Sequence, residues 1–280
     1  MFYIYKISGG FNIPEADFKT LSDMISFNGK RVLITGAAAG IGKATAFRFA
    51  EAGATLQLVD INYEGLEKVK REINEKYNVE VDIYKVDLSK KSEIDALWDR
   101  LEGKEPDVLV NNAGIYPFKD FLKVDEEFLR KVIDINWTAV FWMCQHMIRR
   151  RLNKGGVIIN IGTVEAILPF EEDLPHYTLS KAAVLALTRN LAKKYGKKGF
   201  RINAIIPGGI ITPGFKDVAK NILKLKIDLI KTGVEFKWRL PIGRFGKPDE
   251  VARMILVLAS DLASYVHGAL IPVDGGFLSA

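Results

Sequence analysis

From Lys30 onward, short runs rich in β-branched residues alternate with longer stretches whose apolar residues recur at helical spacing. This alternation is typical of a parallel sheet whose strands are connected by helices. Because such connections are right-handed, the pattern predicts an α/β fold with an open, doubly wound, seven-stranded parallel sheet. The predicted strands are Arg31 to Thr35, Thr55 to Asp60, Val81 to Val86, Val108 to Asn111, Val157 to Ile161, Ile202 to Ile206 and Leu270 to Val273.

The predicted helices lie between these strands, at Ile41 to Glu51, Tyr63 to Tyr77, Ser92 to Leu101, Glu126 to Leu152, Tyr177 to Tyr195 and Pro248 to Ser260. A chain of 280 residues, 48% of them hydrophobic, is long enough for one large core. We therefore expect one domain over residues 29–280. Residues 1–28 do not join the alternation and are interpreted as an N-terminal extension, which leaves Met1 and Met24 both open as the start. Residues 213–241 form the longest stretch off the pattern and are interpreted as a lid over the active site.

The composition argues against several classes of function. The single cysteine, Cys144, allows no internal disulfide and no thiolate cluster, and His146 would point to another side of a helix, so no metal site is expected. No apolar run approaches the ~20 residues that span a bilayer, and the first residues do not resemble a secretory leader, so we expect a cytoplasmic protein with no membrane partner. The formal charge of +6 is spread along the chain and does not indicate a nucleic-acid partner.

A glycine-rich loop follows the first predicted strand directly, in the order Thr35-Gly36-Ala37-Ala38-Ala39-Gly40-Ile41-Gly42. Gly36 permits a tight turn, Gly40 lets the backbone approach a pyrophosphate, and Gly42 allows close packing of the next helix, whose N-terminal N–H groups favour an anion. Between a strand and a helix, such a loop predicts a three-layer Rossmann fold that binds a dinucleotide. The same glycines could also form a plain strand-to-helix turn.

Asp60 ends the second predicted strand, where a carboxylate accepts hydrogen bonds from the adenosine ribose hydroxyls and repels a 2′-phosphate. The three alanines of the loop also offer no cation to that phosphate. Both observations favour NAD over NADP as the cofactor. A carboxylate that only capped the next helix would fit Asp60 equally well, and this alternative stays open.

Tyr177 and Lys181 stand four residues apart at the start of a predicted helix, so they share one helix face. A nearby cation stabilises a phenolate. We therefore expect Lys181 to lower the pKa of Tyr177 from its usual value near ~10 and to make the phenol a general acid or base. Taken alone, the pair would also fit a solvated helix face.

Together these motifs resemble the classical short-chain dehydrogenase/reductase family over Lys30 to Gly276. Further matches are Asp87-Leu88, Asn111-Asn112-Ala113-Gly114, Pro207-Gly208-Gly209-Ile210-Ile211-Thr212, Arg244-Phe245-Gly246-Lys247-Pro248 and Asp274-Gly275-Gly276. The resemblance implies a catalytic tetrad of Asn136, Thr163, Tyr177 and Lys181. It also implies a cofactor site of Gly36, Gly40, Ile41, Gly42, Asp60, Asp87, Leu88, Asn112, Ala113, Gly114, Tyr177, Lys181, Pro207, Gly208, Ile210 and Thr212.

The tetrad departs from the family pattern at one position, because Thr163 stands where the family normally has a serine, three residues after Asn160. A threonine hydroxyl has the same donor and acceptor capacity, so we expect activity with a tighter pocket. Thr163 could instead be only a β-branched residue at a strand end. Asn136 lies inside a predicted helix, and the resemblance implies that it holds a water that connects to Lys181.

The resemblance implies an NAD(H)-dependent oxidoreductase that interconverts a secondary alcohol and a ketone, with Tyr177 as the proton donor or acceptor. The alternatives are a 3-oxoacyl-(acyl carrier protein) reductase, a sugar or polyol dehydrogenase and, in another class, a non-catalytic dinucleotide-binding regulator. Family members usually form tetramers, which implies a homotetramer assembled through the two longest predicted helices. Candidate substrate contacts are Tyr116, Glu165, Phe215 and Trp238, although core packing or a charged rim would also explain them.

Overall fold

The computed structural model describes residues 19–212 and 238–280. Its strands are β1 Arg31–Thr35, β2 Thr55–Asp60, β3 Val81–Lys85, β4 Val108–Asn111, β5 Gly156–Ile161, β6 Phe200–Pro207 and β7 Leu270–Val273. They form one seven-stranded parallel sheet in the order β3-β2-β1-β4-β5-β6-β7. The predicted Rossmann fold is confirmed, and the strand order reverses between β1 and β4, the point at which such sheets bind ligands. Predicted and observed strand ends differ by at most two residues.

The helices of the described residues are α1 Leu21–Ile25, α2 Gly40–Glu51, α3 Tyr63–Asn74, α4 Lys91–Arg100, α5 Glu126–Ile133, α6 Ala139–Arg150, α7 Pro175–Tyr195 and α8 Pro248–Ala259. Two of them begin at a proline, a residue whose fixed φ suits the first helical position. For α7 this places the helix start two residues before Tyr177. The helix at 63–74 ends three residues earlier than predicted.

The sheet separates two helical layers. Because side chains alternate across a strand, Val32 and Ile34 of β1 pack with α2, α3 and α8, whereas Leu33 packs with α4, α6 and α7. Phe49 in the first layer and Trp98 in the second are completely buried. Both faces of the sheet are therefore covered, and only its strand ends can face a ligand.

The single helix predicted over Glu126 to Leu152 is wrong in one respect. A π-helical turn, Asp134–Thr138, separates α5 from α6. Asn136 lies inside this turn with no exposed surface, and its side chain hydrogen-bonds both backbone groups of Ile115. Single π-turns are common at functional sites. The periodicity of the sequence could not show this turn, because it is stabilised by contacts to a distant loop.

The residues before β1 contact the body of the protein. Thr20 and Asp23 form a reciprocal cap at the start of α1, and Phe27 is buried against Phe49, with ring centroids 4.8 Å apart. Core packing thus begins slightly before the domain start predicted at residue 29. Most of the predicted lid, including Phe215, lies outside the described residues. In the part that the structure describes, no helix combines the length and hydropathy needed to cross a membrane.

Candidate active site

The loop between β1 and α2 needs glycine at two positions. Gly36 has φ +66°, and a Cβ atom there would come within 2.8 Å of the Asn112 side-chain nitrogen and 2.9 Å of the Ala113 Cα. A Cβ atom on Gly42 would overlap the Gly36 carbonyl oxygen. The loop is thus compressed against the residues that follow β4. Because the glycines of this loop have no side chains, the backbone at the N-terminus of α2 forms a cradle that suits a pyrophosphate.

The residues that follow β4 are fastened to this loop. The backbone N–H groups of Asn112 and Ala113 each donate to the Thr35 hydroxyl over 3.0 Å. The Asn112 amide also donates to the carbonyl oxygens of Thr35, at 2.9 Å, and Gly36, at 3.1 Å. Two motifs that are 76 residues apart in sequence therefore form one unit at the switch point of the sheet.

Asp60 joins the end of β2 to the glycine loop. One carboxylate oxygen accepts a hydrogen bond from the Ala38 N–H at 3.0 Å, and the other accepts one from the Asn62 N–H at 2.9 Å. The side chain that caps α3 is Asn62, which accepts from the Gly65 N–H at 3.0 Å. Asp60 is therefore not the cap of α3, and its carboxylate lies beside the glycine loop.

Asp87 and Leu88 follow the end of β3. The Ser89 hydroxyl and N–H donate to Asp87, at 2.6 and 3.0 Å, and these hydrogen bonds help to lower the pKa of the carboxyl group. Leu88 is buried at 8% exposure. Asp87 is therefore held as a carboxylate at the same edge of the sheet as Asp60.

The loop after β6 approaches the same cradle. Pro207 ends β6, and the Gly208 N–H donates to the Val273 carbonyl oxygen at 3.1 Å. The Ile211 N–H donates to Gly246 at 2.9 Å, which fixes the backbone around Ile210. A Cβ atom on Gly40 would lie 3.4 Å from the Thr212 methyl carbon, so Thr212 lies next to the glycine loop. The loop after β6 therefore reaches the glycine loop through Thr212, and this arrangement of backbone fits a dinucleotide.

The four predicted catalytic residues are brought together at the carboxyl ends of β4 and β5. The Thr163 side chain interacts with the Tyr177 phenol and favours its ionised form, and the Lys181 ammonium donates to the Ile161 carbonyl oxygen at 2.9 Å. A Cβ atom on Gly114 would lie 3.2 Å from the Asn136 side-chain oxygen and 3.3 Å from the Lys181 nitrogen. Asn136 and Lys181 therefore meet beside the backbone that follows β4.

Ser180 lies between the two residues of the Tyr-x-x-x-Lys motif and was not among the predicted site residues. The Asn136 amide donates to the Ser180 hydroxyl at 3.2 Å, and that hydroxyl donates to the Tyr177 carbonyl oxygen at 2.7 Å. Ser180 thus connects the π-turn to the first turn of α7. Its position three residues after Tyr177 was the available signal, since residues at this spacing are neighbours on a helix.

Burial controls the acid–base properties of the site. Tyr177 is partly buried as a residue, and desolvation of its phenol raises the pKa to about 12, with the charge of Glu165 adding to the rise and the Thr163 hydrogen bond opposing it. Burial lowers the pKa of Lys181 to about 8. The prediction that Lys181 lowers the pKa of Tyr177 is wrong for this arrangement, because the ammonium is directed at Ile161 and the phenol is desolvated. Tyr177 therefore keeps its proton at neutral pH.

The predicted substrate contacts have different environments. The Tyr116 ring lies 6.1 Å from the Tyr177 ring, measured between centroids, and Glu165 is buried at 7% exposure, so it is not a rim charge. Trp238 is 85% exposed and does not form a packed pocket wall. His176, next to Tyr177 in sequence, is directed away to the Pro117 carbonyl oxygen, 2.7 Å from its Nε2. Within residues 19–212 and 238–280, no group of three or more His, Cys, Asp and Glu side chains is arranged to hold a metal ion.

Known proteins share both the sequence pattern and this architecture. A family model described as enoyl-(acyl carrier protein) reductase matches residues 36–278. The 3-oxoacyl-(acyl-carrier-protein) reductase of Thermotoga maritima is 38% identical over 256 residues, which are 89% of this chain and 98% of that protein. This chain belongs to the short-chain dehydrogenase/reductase family.

Other similar members of this family act on different molecules. The levodione reductase of Leifsonia aquatica is 34% identical over 270 residues, covering 92% of this chain and 97% of that protein. The crystal structure of L-sorbose reductase from Gluconobacter frateurii, complexed with NADPH and L-sorbose, has a TM-score of 0.85 and 30% identity, covering 92% of this chain and 99% of that chain. As a short-chain dehydrogenase/reductase, this protein is an oxidoreductase.

Proposed function

We propose that this short-chain dehydrogenase/reductase uses NAD(H) to interconvert a secondary alcohol and a ketone. The observation that supports this best is that the Thr163 side chain interacts with the Tyr177 phenol, on the same helix as Lys181, whose ammonium is held at the end of β5. Two adjacent hydroxyls can hold one substrate oxygen between them. Thr163 orients that oxygen, and Tyr177 donates a proton to it in reduction or removes one in oxidation. When bound, the dinucleotide supplies or accepts the hydride.

Lys181 contributes charge to this site. With a pKa of about 8, it is mainly protonated at pH 7. In the proposed complex its ammonium binds the ribose hydroxyls of the dinucleotide, as the family resemblance implies, and lies near the Tyr177 phenol. A cation in this position favours the phenolate and opposes the effect of burial. Asn136 and Ser180 hold the first turn of α7, and therefore Tyr177, against the residues that follow β4.

The choice of NAD over NADP is proposed on Asp60 alone. Its carboxylate lies beside the Ala38 N–H, where it would accept hydrogen bonds from ribose hydroxyls and repel a 2′-phosphate. The similar L-sorbose reductase was solved with NADPH, so the preference proposed for this chain differs from the dinucleotide bound in that relative. The local charge at Asp60 distinguishes this chain in favour of NAD.

Two of the alternatives have support from relatives. Reduction of a 3-oxoacyl carrier substrate is supported by the 38% identity to the Thermotoga maritima reductase, and reduction of a sugar by the likeness to L-sorbose reductase. A panel of ketones, diketones, acetoacetyl thioesters and sugars, assayed with NADH and NADPH in parallel, distinguishes these substrates. A non-catalytic regulator would bind NADH and turn over none of them.

We also propose a cytoplasmic homotetramer assembled through α5, α6 and α7. Leu129 on α5 and Leu179 on α7 are 38% and 62% exposed, and exposed apolar side chains on these helices suit a contact with a second copy. Sedimentation equilibrium distinguishes the tetramer from a monomer or dimer.

The direct test of the proposed reaction is Tyr177→Phe. This change removes the proton-transferring hydroxyl and keeps the ring, so NADH binding, followed by fluorescence titration, is expected to stay within about twofold of wild type. Turnover of the best ketone is expected to fall by at least the ~10²-fold that general acid–base catalysis contributes. Near-normal turnover in this variant would falsify the assignment of Tyr177.

A further inference from the structure

Glu165 is a buried carboxylate two residues after Thr163, in a 3₁₀ turn, Val164–Ala166, at the end of β5. It is 7% exposed. One of its oxygens, Oε2, accepts hydrogen bonds from the backbone N–H groups of Phe170, at 3.0 Å, and Glu171, at 3.5 Å. Its second oxygen, Oε1, accepts none from the residues that the structure describes. Oε1 is not among the fully buried side-chain atoms that lack a partner in the described residues, so it remains accessible to a donor from a bound molecule.

Glu165 also lies close to the reacting groups. Its negative charge contributes to the raised pKa of Tyr177. Its backbone N–H donates to the Thr163 hydroxyl at 3.3 Å, which occupies an acceptor position of that oxygen and leaves the hydroxyl proton to the neighbouring phenol or to a substrate. The carboxylate of Glu165 therefore borders the place where the substrate oxygen would lie.

The turn that carries Glu165 is held on both sides. Val164 is buried at 2% exposure, in a core cluster with Leu185 and Phe277. Phe170, whose N–H binds the carboxylate, packs edge-on against Phe277, with ring centroids 6.0 Å apart. The direction of the Glu165 side chain is therefore fixed by packing, as a group that sets specificity requires.

The charge around Glu165 favours a neutral donor as its partner. Burial raises the pKa of Glu165. The neighbouring Glu171 has its pKa raised to about 7, by burial first and then by the charge of Glu165. Among the described residues, the hydrogen-bond partners of the Glu165 carboxylate are backbone N–H groups and include no cation. A substrate hydroxyl can donate to Oε1 of Glu165, and because the hydroxyl is neutral it avoids the desolvation cost that a cationic partner would carry.

We propose that Glu165 selects substrates with a hydroxyl on the carbon next to the reacting one: α-hydroxy ketones in reduction and vicinal diols in oxidation. The reacting oxygen lies between Thr163 and Tyr177, and the neighbouring hydroxyl donates to Glu165. This inference rests on the proposed function and narrows its substrate class. A carboxylate that only stabilised the 166–171 loop would need one oxygen and would have no influence on substrate choice.

The test compares matched ketones that differ only in the neighbouring hydroxyl: acetoin with butan-2-one, and 2-hydroxycyclohexanone with cyclohexanone. In wild type, kcat/KM with NADH is expected to be at least about tenfold higher for the hydroxylated member of each pair, because a site built to bind a hydroxyl rejects its absence. The comparison needs no variant. Equal kcat/KM within both pairs overturns the inference.

Glu165→Gln then separates selection from loop stability. Its amide oxygen can still accept from Phe170 and Glu171, whereas its NH₂ group replaces the free acceptor with a donor. The preference within each pair is expected to fall close to one, mainly through a higher KM for the hydroxylated ketone. Glu172→Gln, an exposed residue of the same loop, is the matched control and should keep the wild-type ratio.

The outcomes also distinguish this inference from the proposed reaction. An equal loss for both members of each pair in Glu165→Gln shows a role in stabilising the loop only and overturns the inference, while the reaction itself stands. No turnover of any ketone by the wild-type protein, with NADH or NADPH, overturns the proposed reaction and this inference with it.

Discussion

The Lys181 ammonium donates its hydrogen bond to the carbonyl oxygen of Ile161, the last residue of β5, over 2.9 Å. The side chain is 4% exposed, and burial lowers its pKa from 10.5 to about 8. Burying this ammonium therefore costs solvation free energy, and this cost affects both the stability of the protein and catalysis.

The first prediction concerns stability against pH in Lys181→Met. Between pH 8 and 10.5 the unfolded chain binds more protons at Lys181 than the folded protein, so wild-type stability relative to the variant rises with pH across this window. At pH 7 both states are protonated and the burial cost is fully present, so the variant is expected to be more stable. The difference should shrink by roughly 2 kcal/mol between pH 7 and 9.5.

Urea denaturation at the two pH values measures this difference, with Lys193→Met, an exposed residue of α7, as the control that should show no such trend. A stability difference between wild type and Lys181→Met that does not change with pH would contradict the burial of the charge. Turnover is expected to be lost in Lys181→Met at either pH.

The second prediction concerns the pH dependence of alcohol oxidation in Glu165→Gln. Oxidation needs deprotonated Tyr177, and the negative charge of Glu165 helps to raise the pKa of that phenol. Removing the charge lowers the pKa, so the rise of kcat/KM with pH is expected to shift to lower pH. The profile of Glu172→Gln should match that of wild type. A shift of the Glu165→Gln profile to higher pH, or none, is the contrary result.

The third prediction is that Ser180→Ala loosens the site. The change removes the hydroxyl between the Asn136 amide and the Tyr177 carbonyl oxygen. The expected cost is about 1 kcal/mol of unfolding free energy, together with a lower kcat at unchanged KM for NADH. Thr178→Val is the control, because the Thr178 hydroxyl is buried with no partner among the described residues and its loss should not destabilise the protein. Equal stability of Ser180→Ala and wild type would show that the Ser180 bridge is unimportant.

The fourth prediction is that Asp60→Asn weakens the preference for NADH. The amide keeps an oxygen for the Ala38 N–H and removes the charge that would repel a 2′-phosphate. The ratio of kcat/KM for NADH to that for NADPH is expected to fall about tenfold, which corresponds to ~1.4 kcal/mol. Glu64→Gln removes an exposed charge in the first turn of α3 and should leave the ratio unchanged. A wild-type protein that already prefers NADPH would contradict this role of Asp60.

Features fixed by local chemistry could be predicted from the sequence. The strand pattern and the glycine loop predicted the Rossmann fold, because β-branched runs that alternate with helical periodicity form parallel sheets and the glycines permit the tight turn between β1 and α2. The convergence of Asn112, Thr163, Tyr177 and Lys181 followed from the family resemblance together with the geometry of parallel strands. The replacement of the family's serine by Thr163 was also visible in the sequence, and the expectation that a threonine hydroxyl can take this place agrees with its interaction with Tyr177.

Features that depend on desolvation and on contacts between distant segments could not be predicted. The predicted direction of the pKa shift at Tyr177 was wrong. The four-residue spacing shows that Lys181 is near, but it does not show that the phenol is desolvated or that the ammonium donates to Ile161. The π-turn at Asn136 needs Ile115, a residue from another loop. The sequence was compatible with Glu165 as an exposed charge at the rim of the site, because its neighbours along the chain do not indicate that it is buried.

The π-turn allows α5 and α6 to differ in their rotation about the helix axis. Asn136 fixes the first helix against the residues that follow β4, whereas Met143 and Met147 fix the second against the sheet. Winding Asp134–Thr138 as ordinary α-helix, with no residue removed, would turn α6 relative to α5 by up to about 100°. Either Asn136 or the two methionines would then face the wrong way. Both alignments can hold at once only because the wider turn accommodates the extra residue, so the winding of this segment is constrained independently of which side chains occupy it.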